Sequence, residues 1–284
     1  MTQIKSLIPS MNNALVRNIL WRIRKATSSH RHYPDFIIIG AQKSGTGSLY
    51  SYLRQHPQLV PSSKKEIHFF DGGLLPGVDN YLKGVKWYKA HFPIKIRKTG
   101  LFAFEASPLY IFSPLAPKRI YSFSSEIKLI ILLRNPTERA ISHYFHEKRK
   151  GRESLPILEA FEMEEERLKE AIAKNEYKSE PFIRHSYKRR GLYLDQIKRY
   201  LEYFAREQIL VLNSEEFFSN PGNVLQKVFE FVGVGTDFNV PDLKSRNVAK
   251  NKIDVAPEVY DYLDSYFESH NEALFSFLDE RFSW

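Results

Sequence analysis

The stretch PDFIIIGAQKSGTGSLYSYLRQHP, residues 34–57, decides how the rest of the chain is read. Asp35 to Gly40 is a nearly continuous apolar run, the pattern of a strand covered on both faces of a parallel sheet. Three glycines follow in quick succession, Gly40, Gly45 and Gly47. Leu49, Tyr50, Leu53 and Arg54 then fall at helical spacing as far as His56 and Pro57, where proline stops the helix. A strand, a glycine turn and a helix in that order aim backbone N–H groups and the positive end of a helix at an anion.

The loop departs from the pattern that grips nucleoside triphosphates, G-x-x-x-x-G-K-[ST]. Gly40 and Gly45 keep the spacing, but Thr46 and Gly47 follow, and the lysine, Lys43, lies inside the loop. A second apolar run, Ile127 to Arg134, ends in arginine where nucleotide hydrolases place a magnesium-holding aspartate. The expected ligand is therefore a phosphorylated group held without an obligatory metal.

Working outward, a third apolar run spans Ile209 to about Leu212, and each run has a helical segment beside it. These spacings predict an α/β fold with a P-loop-like central parallel sheet flanked by helices. FEMEEERLKEAIAKNEY reads as one charged, solvated surface helix, and DQIKRYLEYFAREQ as a helix leading into the third strand. PGNVLQKVFEFVGV reads as a helix opened by proline and closed by Gly233, and PEVYDYLDSYFESHNEALFSFLDERF as a helix packed on the sheet. No boundary follows residue 34, so the division is a basic arm or helix over residues 1–33 and a single domain over 34–284.

The 284 residues are 43% hydrophobic and 14% aromatic, enough for a substantial core. Net charge is +9, and residues 1–35, with six Lys or Arg against one Asp, supply +5 of it. That favours an anionic ligand. It also makes the N-terminus a frayed basic arm, a packed helix, or a basic amphipathic helix in peripheral contact with a membrane. With no cysteine there is neither a disulfide framework nor a thiolate metal site. From that absence and the lack of a long apolar span, the expected location is cytoplasmic, with peripheral membrane contact as the variant. His143 and His146 lie three apart on a predicted helix, without further ligands, and read as packing or surface residues rather than a metal site. No nucleic-acid-binding module is recognisable.

LIILLRNPTERAISHYFH places Arg134 at a strand end and Ser142 in the next helix. A guanidinium and a hydroxyl so placed can converge on one phosphate. Together, GAQKSGTGSL and RNPTERAISHY resemble the two cofactor-binding motifs of sulfotransferases that use 3′-phosphoadenosine 5′-phosphosulfate (PAPS). The resemblance is to the heparan-sulfate type of carbohydrate sulfotransferase and its bacterial relatives. It extends through KEIHFFD (Lys65 to Asp71), FEASPLYIFSPLAPKRI, GLYLDQIKRYLEYF and ILVLNSEEFFSNPGNVLQKVFEFVGV, in order from about Pro34 to the C-terminus.

The resemblance implies that Lys43, Ser44, Gly45, Thr46, Gly47 and Ser48 surround the 5′-phosphosulfate. It implies that Arg134 and Ser142 hold the 3′-phosphate, with Tyr193 lining the pocket and Arg246, Asn247 and Lys250 closing over it. A sulfonate then stands where ATP has its β-phosphate, which accounts for the displaced lysine. The acceptor expected is a carbohydrate, glycolipid or other hydroxyl-bearing molecule, or an amine. Glu66 is the candidate general base and His68 its rival, since in an extended EIHFF both point to one side. Lys43 is the candidate for neutralising charge on the leaving oxygen. Some heparan-type enzymes carry lysine after the glutamate of FEASP; this chain has Ala106, which counts against a heparan-like polyanion as acceptor. Glu105 and Ser107 remain candidate cleft residues. The alternatives are a P-loop kinase or other phosphotransferase, and a non-catalytic binder of nucleotide or anionic glycan.

Overall fold

The structure, a computed structural model, describes residues 14–95, 100–244 and 255–284. Five strands form one parallel sheet: β1 (Phe36–Gly40), β2 (Leu59–Pro61), β3 (Phe102–Ala106), β4 (Lys128–Leu133) and β5 (Ile209–Asn213), in the order β2-β3-β1-β4-β5. The α-helices that cover it are α1 (Ala14–Ala26), α2 (Thr46–Leu53), α3 (Val85–Lys89), α4 (Ala116–Phe123), α5 (Pro136–Arg149), α6 (Ile157–Glu162), α7 (Glu164–Ala173), α8 (Glu180–Arg184), α9 (Tyr193–Leu201), α10 (Ser214–Ser219), α11 (Pro221–Val232) and α12 (Pro257–Leu278).

Of the strand runs read from the sequence, β1 and β4 are central in the sheet, where both faces need cover, and β5 is an edge strand. Ile37 and Ile39 enter an aromatic layer with Phe69, Phe70, Tyr88 and Tyr110. Phe36 and Ile38 point the other way, into a layer with Leu49 and Leu53 of α2 and Val224 and Val228 of α11. Alternation along a strand divides one apolar run between two cores in this way. From β1 the chain moves out to β2, returns to β3 and crosses to β4, so β1 lies between strands running to opposite sides of it. Ligands of open parallel sheets settle at the carboxyl ends of strands at such a reversal.

The structure corrects the sequence reading in several places. Helix α2 ends at Leu53 rather than at Pro57, and Gln55 and His56 turn back onto Tyr52 and Leu53. Strand β2 is short and contains Pro61, which an edge position tolerates. In β3 the apolar run is broken by Glu105, which hid it. The charged segment is two helices, α6 and α7, with Met163 between them. Nor is it wholly solvated: Glu164 is fully buried and accepts the N–H groups of Lys188 and Arg189 at 2.5 and 2.9 Å. The basic N-terminal segment is packed by residue 31, where Arg31 bridges to Ile94 and donates to the Phe92 carbonyl at 2.7 Å.

Candidate active site

At the carboxyl end of β1 the chain turns through Ala41 to Gly45 and enters α2. Gly40 is required by contact, since a Cβ there would lie 2.3 Å from the Ile111 side chain. Gly45 is required by conformation: as N-cap of α2 it has φ 95°, a region side chains rarely adopt. The Ser214 hydroxyl of α10 ties the loop from below, donating to the Ser44 carbonyl at 2.8 Å. The Ser44 hydroxyl is itself fully buried, with no hydrogen-bond partner among the described residues. Thr46 and Ser48 are buried in the first turn of α2, and Gly47 is half-buried beside them. The first N–H groups of a helix have no intrahelical acceptor, so this turn presents donors.

Lys43 lies half-buried in the loop with φ 75°. Burial lowers its pKa, and Arg149, Arg134, Arg139 and Lys150 lower it further. The charged groups that act most on it are all cations. The same field reaches His146, pushed down to about 4 by burial and by Lys43, Lys150, Arg149 and Arg152. Glu138 and Glu147 pair with Arg134 and Arg152 in this cluster, but Lys43 makes no ion pair among the described residues, so an anionic ligand would relieve its field. Arg134 stands at the end of β4, half-buried, donating to the Lys43 carbonyl at 3.2 Å and to Glu138 at 3.0 Å. Ser142 is half-buried on α5, nearly two turns from its start. Tyr193 is buried behind Arg134, its hydroxyl donating to the Arg134 carbonyl at 2.8 Å. Arg246, Asn247 and Lys250 lie outside the described residues.

On the other side of β1, the segment carrying Glu66 is joined to β3. The Glu66 N–H donates to the Ala106 carbonyl at 2.9 Å, and Ala106 is paired with Ile38 of β1. The segment is not extended, as expected from sequence: Glu66 and His68 have φ 60° and 54°. Left-handed backbone costs an L-residue about 1–2 kcal/mol, so neighbours must impose it. The two side chains nevertheless converge, with His68 Nε2 3.7 Å from Glu66 Oε2. Nδ1 of His68 meets the buried carboxylate of Asp71 at 2.6 Å. Burial opposes charging His68, but Asp71 and Glu66 outweigh it and raise its pKa to about 9. Burial likewise opposes ionising Glu66, but His68 and Lys65 bring it down to about 2. Near neutral pH the pair is a carboxylate facing an imidazolium.

Glu105 holds this backbone from beneath. It is fully buried at the end of β3 and accepts the hydroxyls of Tyr88 at 2.8 Å, Ser107 at 2.8 Å and Tyr110 at 3.0 Å. Ser107 Oγ in turn accepts the His68 N–H at 3.2 Å, and the Tyr110 hydroxyl accepts the Phe69 N–H at 2.9 Å. Burial raises Glu105 to about 7, despite the hydroxyls and His68. Glu105 and Ser107, candidate cleft residues from sequence, are thus fully buried beneath the segment.

Sequence reasoning missed Asp71 and the role of α5 beyond Ser142. Asp71 closes KEIHFFD three residues after His68, a spacing that could have marked it. Ser142, His146 and Arg149 share one helical face at i, i+4 and i+7, a signal that was present. His143, by contrast, is fully buried and belongs to the core. Among the described residues no acidic, histidine or cysteine cluster could hold a metal ion.

The family model of the sulfotransferase domain matches residues 33–257. Mouse heparan sulfate glucosamine 3-O-sulfotransferase 5 is 30% identical over 94% of this chain and 81% of its own length. The mouse bifunctional heparan sulfate N-deacetylase/N-sulfotransferase 4 is 30% identical over 86% of this chain, which spans only 30% of that protein. A crystal structure of a sulfotransferase from Alicyclobacillus acidocaldarius, 33% identical, superposes with a TM-score of 0.73 over 89% of this chain and 98% of that one. Matched by that family model over most of its length and covering four fifths of a 30% identical relative, the chain belongs to the sulfotransferase family.

Proposed function

We propose that this chain transfers a sulfuryl group from PAPS to a hydroxyl or amine of a carbohydrate or glycoconjugate, with Glu66 as general base. The observation that carries this is the presence of two unlike sites on either side of the carboxyl end of β3, one in the loop after β1 and one in the segment after β2. After β1 comes a glycine loop whose lysine is half-buried among cations; after β2, in the segment tied to β3, an ionised carboxylate faces an imidazolium.

The residues present fit PAPS: the loop offers backbone donors, a buried serine hydroxyl without a partner among the described residues, and a lysine whose strongest charged neighbours are cations. Lys43, Ser44, Gly45, Thr46, Gly47 and Ser48 would hold the 5′ end, and Arg134 and Ser142 the 3′-phosphate. The donor supplies an activated sulfuryl group with a bisphosphate leaving group. Lys43 neutralises charge that develops at the bridging oxygen. Glu66 accepts the acceptor's proton. Its low pKa makes it a weak base, which suits a proton that moves late. Asp71 keeps His68 charged and oriented, Lys65 donates to the Glu66 carboxylate, and His68 faces its other oxygen.

Support for a carbohydrate acceptor comes from the two mouse relatives, whose names specify heparan sulfate. Ala106 is buried in β3 and offers no cation at the place where some of that group carry lysine, so the reading favours a less anionic glycan. A labelled-sulfate transfer assay against a panel of glycans and glycolipids tests the function. Transfer to a hydroxyl-bearing acceptor, lost in Glu66→Ala, is expected. Tight binding of adenosine 3′,5′-bisphosphate (PAP) with no transfer to any acceptor would overturn it.

A further inference from the structure

Helix α1 is mounted inside out. Val16, Ile19, Leu20 and Ile23 fall at i, i+3, i+4 and i+7, the spacing of a core-facing stripe, yet each is between 43% and 51% exposed. The helix docks by another face. Trp21 packs on His91 and Trp87, with ring centroids 4.9 and 6.2 Å away, and Arg24 donates to Ser63 at 3.0 Å. Four aliphatic side chains in register, left in solvent beside a face that is packed, need an apolar partner.

The neighbouring element repeats the pattern. Leu82, 83% exposed, and Val85 project beside Trp87, the ring that anchors α1. Lys83 lies over that same ring at 4.8 Å. The two elements share one field: His91, wedged between Trp21 and Trp87, is pushed down to about 4 by burial and by Lys64, Arg24 and Lys83.

Charge identifies the partner. Residues 14–34 contain Arg17, Arg22, Arg24, Lys25 and Arg31 and no acidic residue, and residues 80–95 contain Lys83, Lys86, Lys89 and Lys95 and again none. Asp79, at the border, is neutralised by Arg119 at 2.6 Å. An anionic glycan would meet the cations but leave the aliphatic stripe in water. A second copy of the chain would bring two such fields together, like against like. A bilayer with acidic headgroups meets both features at once, apolar groups entering the acyl boundary and cations resting on phosphates. No helix among the described residues is long and apolar enough to cross a membrane; α1, with 13 residues, has the length to lie along one.

We infer that α1 and the segment from Leu82 to Lys89 form a docking surface for an anionic lipid bilayer. The test is co-sedimentation of the full chain with vesicles of phosphatidylcholine alone or mixed with phosphatidylglycerol, beside analytical ultracentrifugation without lipid. Binding to the mixed vesicles, weak binding to phosphatidylcholine alone, and release by salt are expected. Ile19→Ser with Ile23→Ser should weaken binding about tenfold or more, because two buried aliphatic groups are lost. Arg22→Gln with Lys86→Gln should do the same through charge. All four side chains are exposed, so PAP affinity should be unchanged in both pairs, which reports an intact fold. Equal binding to both vesicle types, or binding indifferent to either pair, overturns the inference. So does a wild-type dimer that Ile19→Ser with Ile23→Ser converts to monomer, since the stripe would then be a self-interface.

Discussion

His68 and Asp71 meet at 2.6 Å through Nδ1 and Oδ2, and the opposite nitrogen of the same ring faces Glu66 at 3.7 Å. The ring therefore transmits the effect of a buried carboxylate to a half-buried one. Removing Asp71 should change Glu66 without touching it.

In Asp71→Asn the His68 pKa should fall from about 9 towards the ordinary histidine range, read by NMR titration of the ring. The alkaline limb of kcat/KM, which reports free-enzyme groups, should move down with it. The stability sign follows from the raised pKa. The charged pair contributes fully below the ordinary value of 6.5, and that contribution is lost as pH rises through about 9. The gap in Tm between wild type and Asp71→Asn should narrow over that window; a constant gap would show that the pair does not govern the ring's charge.

Glu66→Ala should lower turnover about a hundredfold or more, the scale for losing a general base, and leave PAP affinity nearly intact. Lys43→Ala should cost a similar factor in turnover through lost charge stabilisation, but should also weaken PAP. A Glu66→Ala enzyme that turns over like the parent would remove this residue from the chemistry.

Glu105 is a positioning residue acting through Ser107 and Tyr110. Glu105→Ala should lower kcat more than it raises the KM for PAPS, and Glu105→Gln should recover part of the loss. Because burial raises its pKa to about 7 from 4.5, the charged form costs stability that the protonated form does not. Wild-type stability relative to Glu105→Gln should therefore fall as pH rises from 4.5 to about 7 and level off above it, which thermal unfolding would show. Equal loss in kcat and in PAPS affinity would instead mark a general collapse of the site.

Gly45→Ala should weaken PAP binding about tenfold, since φ 95° is strained for any side chain. The added Cβ would also lie 2.7 Å from the Phe218 ring. If backbone geometry is the cause, adding Phe218→Ala should not restore affinity; full restoration would make the defect one of contact alone.

What the sequence made legible follows from how locally each feature is encoded. Strands β1, β4 and β5 could be read because burial on two faces demands unbroken apolar runs. Strand β3 could not, because its Glu105 is satisfied by hydroxyls from Tyr88, Ser107 and Tyr110, partners that only the fold assembles. The glycine loop was legible because its glycines, lysine and following helix are consecutive in sequence, although the contact that requires glycine at position 40 comes from distant Ile111. The left-handed turns at Glu66 and His68 were not, because hydrogen bonds from β3 and the segment after it impose them against intrinsic preference. The exposure of the α1 stripe was hidden for a similar reason: periodicity states which residues share a face, not which face meets protein.

The central claim is that the loop on β1 and Arg134 with Ser142 grip the two ends of one adenosine bisphosphate. Isothermal titration of PAP and of adenosine 5′-phosphate, without magnesium, into wild type and Arg134→Ala tests it most directly. Wild type should bind PAP much more tightly than the monophosphate, and Arg134→Ala should lose about tenfold or more for PAP alone, the weight of a charge-assisted bidentate contact. Equal affinity of wild type for both ligands, or a preference for magnesium ATP over PAP, would contradict the account.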